Sequence, residues 1–188
     1  MFTIVNNHGV SAMYEMKRPA VFFDRDGVLN EDNGYVFEIS KLRWINGARQ
    51  AVKAANDAEC FVFVITNQSG VARGLYKESD IEALHKWMTD DLAAIGARID
   101  AFEYCPYHPE AIIEQYRQAS RRRKPAPGMI NDLLERFPVD VSRSILVGDK
   151  PTDLEAAQAA GVQGYLYSSG DLAQFLKPLL PQNKNKTG

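Results

Sequence analysis

Short apolar runs alternate with amphipathic stretches through the middle of this 188-residue chain. The runs AVFFD (20–24), FVFVIT (61–66), AFEY (101–104) and SILVGD (144–149) are brief, and most are rich in Val, Ile or Phe. A strand covered on both faces of a parallel sheet needs that unbroken apolar character; a half-exposed strand alternates instead. GYLYS (164–168) reads as a fifth strand. Helical patterns lie between the runs. Asn46 is a candidate cap for a helix through Ala58. Ser79 is a candidate cap for another, with Ile81, Leu84, Trp87, Met88 and Leu92 on one stripe. Pro127-Gly128 precedes MINDLLERF, and Pro151 stands at the first turn before TDLEAAQAAG. Strand–helix alternation predicts an α/β fold, a doubly wound, mostly parallel sheet with right-handed crossovers. The expected layout is a loose arm over 1–18, a single domain over 19–180 and a polar, disordered tail over 181–188.

Charge narrows the function classes. Twenty-two Lys and Arg against 24 Asp and Glu leave a net charge of -2, which makes no electrostatic case for nucleic acid. No apolar stretch is long enough to span a bilayer, and the first residues lack the pattern of a secretory leader. Two cysteines, Cys60 and Cys105, make no disulfide framework. A cytoplasmic monomer without nucleic-acid or membrane partners is the expectation.

The chemistry gathers at predicted strand ends, where open α/β sheets bind ligands. The first run ends in Asp24-Arg25-Asp26-Gly27, the second in Thr66-Asn67-Gln68-Ser69-Gly70, and the fourth in Gly148-Asp149-Lys150 with Asp153 following. Arg123-Lys124-Pro125 supplies a further loop. Asp24 and Asp26 share a face if the chain stays extended, and like charges so close call for a cation. Asp149 would reach the same edge. Oxygen ligands of this kind suit Mg²⁺. A carboxylate can itself attack phosphorus and give an aspartyl-phosphate that water hydrolyses. Asp24 is best placed for attack, with Asp26 as general acid and base. Thr66 and Asn67 can donate to phosphate oxygens, Lys124 offers a point charge to the phosphoryl group, and Arg123 could grip a second phosphate. Arg121 and Arg122 read as surface charges, and His85 as a surface or packing residue.

Asp24-x-Asp26, Thr66, Lys124 and Gly148-Asp149-x-x-x-Asp153 resemble, in order and context, the motifs of the haloacid dehalogenase-like (HAD) superfamily. The resemblance covers roughly residues 19 to 168. The stretches FFDRDGVLNEDNGYV, VITNQSGVARGLY, YCPYHPE, RKPAPGM and GDKPTDLEAA further resemble the D-glycero-D-manno-heptose 1,7-bisphosphate phosphatases, and much of that signature is shared by the histidinol-phosphate phosphatases. The resemblance implies a compact member without a large cap domain. It implies Asp24 as nucleophile, Asp26 as acid/base, and Mg²⁺ held by Asp24, the Asp26 carbonyl and Asp149. It implies substrate contacts at Asp32, Asn33, Gly34, Tyr35, Thr66, Asn67, Gln68, Ser69, Arg123, Lys124 and Lys150. Asp153 would orient a water or a lysine from behind.

One departure stands out. The family commonly carries a structural zinc site, Cys-x-His followed by Cys-x-Cys before the Arg-Lys-Pro run. Here the pairs read Cys105-Pro106-Tyr107 and Ser120-Arg121-Arg122. Cys105 and His108 fall short of the four ligands a closed zinc site needs, so zinc is expected to be absent. Packing of Ile112, Ile113 and Tyr116 is the expected substitute. The leading expectation is a phosphatase of heptose bisphosphate, giving the 1-phosphate or the 7-phosphate. A histidinol-phosphate or other small phosphomonoesterase is the alternative. A phosphate-binding module without catalysis stands third, although both Asp24 and Asp26 are present.

Overall fold

The computed structural model describes residues 16–181; most of the expected arm and tail (1–15 and 182–188) lies outside the described residues. The element order is β1 (Ala20–Phe23), α1 (Ala48–Asp57), β2 (Phe61–Asn67), α2 (Glu78–Ala93), β3 (Ala101–Cys105), α3 (Gly128–Arg136), β4 (Ile145–Gly148), α4 (Pro151–Ala159), β5 (Gln163–Leu166) and α5 (Leu172–Leu176). The five strands form one parallel sheet in the order β3-β2-β1-β4-β5. The predicted α/β class and doubly wound sheet are what the chain adopts.

Period-two side-chain alternation sorts the core into two layers. Val21, Phe23, Val62, Val64 and Val147 face α1, α2 and α5, where Val52, Leu84, Met88, Leu92 and Leu172 meet them. Phe22, Phe63, Ile65 and Leu146 point the other way, onto Met129, Ile130 and Leu133 of α3 and Ala156 and Ala157 of α4. Every residue of β1 and β4 is buried, whereas the edge strands β3 and β5 are mixed or exposed. The unbroken apolar runs therefore mark the central strands. The connections after β1 and β3 are loops, residues 24–47 and 106–127, with no inserted domain.

Several boundaries differ from the sequence reading, each for a local reason. The first helix begins at Ala48 behind Gly47, not behind Asn46. Gly47 takes φ 76°, and a Cβ there would stand 2.3 Å from the Asp171 carboxylate. The second begins at Glu78. The Asp80 carboxylate accepts the Lys77 N–H at 2.8 Å, so Ser79 lies inside the first turn. The fifth strand is Gln163–Leu166 and stops short of Ser168. The short α5 was not foreseen; its signal was Asp171, whose side chain caps Gln174 N at 2.9 Å. Arg18, the last residue of the expected arm, is tied to the body through Pro138 O (3.0 Å) and Asp140 N (2.8 Å).

Candidate active site

The carboxyl ends of β1, β2 and β4 converge with the loop before α3 on a cleft of about 280 Å³. Asp24 follows β1 directly, and its N–H continues the sheet to Val147 O at 2.9 Å. Lys124 reaches it from a residue 100 positions away: Nζ donates to Asp24 Oδ1 at 2.7 Å and to Ile65 O at 3.0 Å, and it pairs with Asp153 Oδ1 at 2.6 Å. All three ammonium protons are thus used at a buried centre. Asn67 clamps the lysine's backbone, donating to Lys124 O at 3.0 Å and accepting Lys124 N–H at 3.0 Å.

Electrostatics at this edge are strained. Burial pushes the Asp24 carboxyl up to about 7, against the pull of Lys124 and with Asp153 adding to the rise. Burial likewise raises Asp149, partly opposed by Lys150. Burial alone would lower the Lys124 ammonium, but Asp24 and Asp153 outweigh it and hold it above its usual value.

Asp24, Asp149 and Asp153 each bring a carboxylate oxygen within 4.8 Å of the others. Both Asp153 oxygens are engaged, one by Lys124 and one by Lys150 N–H at 3.0 Å. Asp149 Oδ1, by contrast, is buried without a hydrogen-bond partner. An orphaned anionic oxygen beside a second carboxylate fits a hard divalent cation. Gly27, at φ 89°, lets the backbone approach: a Cβ there would stand 2.3 Å from Asp149 Oδ2. Gly148 makes similar room for Asp153, 2.2 Å from where its Cβ would be.

Asp26 sits under a collar of donors. Arg25 reaches its carboxylate at 3.0 Å, Asn30 Nδ2 at 2.9 Å and Gln68 Nε2 at 2.8 Å. Arg25 is fully buried; it also donates to Val36 O at 2.7 Å and faces His85 Nε2 at 3.3 Å. A guanidinium can only donate, so the imidazole accepts and is neutral. Burial first, and Arg25 second, lower the His85 pKa to about 3.

The structure brings most predicted residues together and separates a few. Asp24, Asp26, Asp32, Gly34, Tyr35, Thr66, Asn67, Gln68, Ser69, Lys124, Lys150 and Asp153 line the cleft. Lys150 reaches across to Asp32 at 3.2 Å. Gly34 and Tyr35 both take left-handed backbone, φ 73° and 50°, which presents the half-exposed Tyr35 ring. Asn33 is not among the lining residues; its amide turns to Glu31 at 3.3 Å. Nor is Arg123, which donates to Tyr107 O at 3.4 Å. Asn67 and Gln68 spend their amides on protein partners. Tyr76 and Thr152 line the cleft unforeseen, and the buried Arg25, Asn30 and His85, which support Asp26 from behind, were unforeseen too. Arg25 had a signal in its place between two aspartates; Tyr76 had none.

The loop between Cys105 and Arg123 is fixed by hydrogen bonds and ion pairs. Ile112 and Ile113 N–H groups bond Ala72 O at 3.0 and 3.1 Å, and Tyr116 O–H donates to Glu78 at 2.8 Å. The expected packing of Ile112 is corrected, since that side chain is 71 % exposed. Arg122 is no free surface charge either: it pairs with Glu103 and with Asp132 (3.0 Å) and donates to Tyr104 O at 3.2 Å. His108 Nδ1 accepts the Glu110 N–H at 3.1 Å within its own turn.

A family model described as HAD-hydrolase-like matches residues 121–176. The chain is 49 % identical over 164 residues to the D-glycero-beta-D-manno-heptose-1,7-bisphosphate 7-phosphatase of Rhodopseudomonas palustris, covering 87 % of this chain and 91 % of that one. It is 46 % identical to the D-glycero-alpha-D-manno-heptose-1,7-bisphosphate 7-phosphatase of Burkholderia mallei, over 78 % of each chain. The fold superposes on D,D-heptose 1,7-bisphosphate phosphatase from B. bronchiseptica, solved with magnesium and phosphate. That match has a TM-score of 0.73 and 34 % identity, over 85 % of this chain and 86 % of that one. With its parallel sheet and aspartate-bearing edge, the chain is a HAD-type phosphatase, a phosphoric monoester hydrolase. Within that class it belongs to the heptose-1,7-bisphosphate 7-phosphatase family.

Proposed function

We propose that this protein removes the 7-phosphate of D-glycero-D-manno-heptose 1,7-bisphosphate through a phosphorylated Asp24. The carrying observation is the buried Asp24 carboxylate set against Lys124 Nζ at 2.7 Å, with Asp26 on the same cleft and an Asp149 oxygen within 4.8 Å of one of Asp24's. The substrate follows from the relatives' names, which narrow the two expected products to the 1-phosphate. Mg²⁺ would be held by Asp24, Asp149 and the Asp26 carbonyl; when bound it offsets the repulsion between carboxylate and phosphate dianion.

An Asp24 oxygen attacks phosphorus while the bond from phosphorus to the sugar oxygen breaks. The electron pair stays with the sugar oxygen, which takes a proton from Asp26. Water then attacks the aspartyl-phosphate, gives its proton to Asp26, and releases phosphate with Asp24 regenerated. Lys124 and Thr66 stabilise the charge on the phosphoryl oxygens. Asp153 holds the lysine, and Lys150, Asp32 and Tyr35 face the sugar.

The same reading gives a monomeric cytoplasmic enzyme without structural zinc. Among the described residues no helix is long and apolar enough to cross a membrane, and both cysteines are free and buried. Cys105 Sγ lies 4.0 Å from Tyr107 O, and Arg122 is engaged with Glu103 and Asp132 where the family's second cysteine pair would fall. Phosphate release from the α and β heptose bisphosphates, set beside histidinol phosphate, tests the substrate. A kcat/KM favouring histidinol phosphate would overturn it. Elemental analysis finding stoichiometric zinc would overturn the zinc claim.

A further inference from the structure

We propose that Tyr76, through the Gln68 amide, is a positioning residue that aims the Asp26 carboxyl at the leaving oxygen. The idea rests on the acid/base reading of Asp26 above. Gln68 is 2 % exposed, and its amide makes three short contacts: Nε2 to Asp26 Oδ2 at 2.8 Å, Nε2 to Thr66 Oγ1 at 2.8 Å, and Oε1 from the Tyr76 hydroxyl at 2.6 Å. An amide has one donor end and one acceptor end, and a carboxylate only accepts. The Asp26 carboxylate therefore takes the NH₂ end, and the Tyr76 hydroxyl, donating to Oε1, locks the opposite end in place. With the hydroxyl donating to Oε1, the NH₂ group must point at Asp26 and Thr66. If the amide turned over, its oxygen would face the carboxylate and repel it.

The tyrosine itself is built in. Its ring stacks on Phe37, with centroids 4.8 Å apart and planes at 23°. It packs with Val71 and Ile81 in a buried cluster. It lies so close under Gly70 that a Cβ there would stand 2.2 Å from the ring. Burial raises the phenol to about 12, so it keeps the proton it donates.

The test separates aim from architecture by the leaving group. A sugar alkoxide needs a proton as it departs; p-nitrophenolate does not. First-turnover rates at saturating substrate are measured with heptose bisphosphate and with p-nitrophenyl phosphate. Tyr76→Phe keeps the ring and its packing. It should lower the sugar rate roughly tenfold, a fraction of the range for general acid catalysis, and leave the nitrophenolate burst within about twofold. Gln68→Leu should show the same selectivity and serves if the tyrosine variant folds poorly. Asp26→Asn is the reference. If it shows the selectivity and Tyr76→Phe and Gln68→Leu do not, the relay is wrong while the acid/base reading stands. If Asp26→Asn slows both substrates alike, the acid/base reading fails and the relay falls with it.

Discussion

Two charged regions of the molecule treat their charges in opposite ways. At the β1–β4 edge, three carboxylates meet one buried ammonium, with the exposed Lys150 3.8 Å from Asp149 Oδ2, and Asp149 Oδ1 is left without a partner. Beside β3, Glu103 pairs with both Arg122 and Arg136, and Asp132 with Arg121 at 2.7 Å and Arg122 at 3.0 Å. In the first region burial raises the Asp24 and Asp149 carboxyls; in the second each acid is paired with two guanidiniums. Shape is held by compensated charge, and chemistry is placed where compensation is incomplete and a substrate or cation can supply it.

The largest break in that contrast is Asp24→Asn. It removes the nucleophile, and phosphate release should fall below detection on every substrate; thorough chelation should do the same, with Mg²⁺ restoring turnover. Turnover surviving either treatment would remove the chemistry from this edge. Asp26→Asn comes next. Loss of general acid/base work should cost about 10²- to 10⁴-fold in kcat on the sugar phosphate. A loss confined to KM would show instead that Asp26 only binds.

A smaller effect concerns pH. The Asp24 carboxyl is raised to about 7 by burial. A folded pKa above the unfolded value means the native protein binds more protons between the two. That contribution to stability is complete below the ordinary pKa of 3.8 and is lost as pH climbs through about 7. A divalent cation competes with those protons and favours the ionised site. The rise in Tm on adding Mg²⁺ should therefore be clearly larger at pH 8 than at pH 5. An equal rise at both would mean the cation binds elsewhere.

This contrast also explains what could be read in advance. The central strands, the convergence of Asp24, Lys124, Asp149 and Asp153, and the α/β class follow from apolar runs and residues at their ends. Those are local signals with one dominant cause. Arg122, Gln68 and Tyr76 were misread or missed because a charge run or a polar turn looks the same whether it faces water or a partner. Arg122 finds Asp132 ten positions on and Glu103 nineteen back, and Tyr76 finds Gln68 eight residues back across a turn. Only the fold decides such pairings. The Ser79 and Asn46 caps failed for a related reason: left-handed Gly47 opens α1 without a side-chain cap, and the Asp80 carboxylate reaches back to the Lys77 N–H at the start of α2.

The smallest expected effect is the sharpest check on the division itself. Arg122→Met deletes the residue that ties Glu103 to Asp132, yet each acid keeps a second partner in Arg136 or Arg121. Arg122 is also partly exposed, so solvent screens its pairs, and the loss should come to about 1 kcal/mol. Lys124 is two residues away but is clamped separately, by the reciprocal Asn67 bonds and by Asp24 and Asp153. Sites held independently add rather than couple, so kcat should change less than about threefold. Any rise should appear in KM, through movement of the loop that carries Tyr107. Chemical denaturation and steady-state kinetics on this variant measure both. A fall in kcat approaching that of Asp26→Asn would mean that the matched charges beside β3 are part of the reaction's machinery, and that the two regions are one.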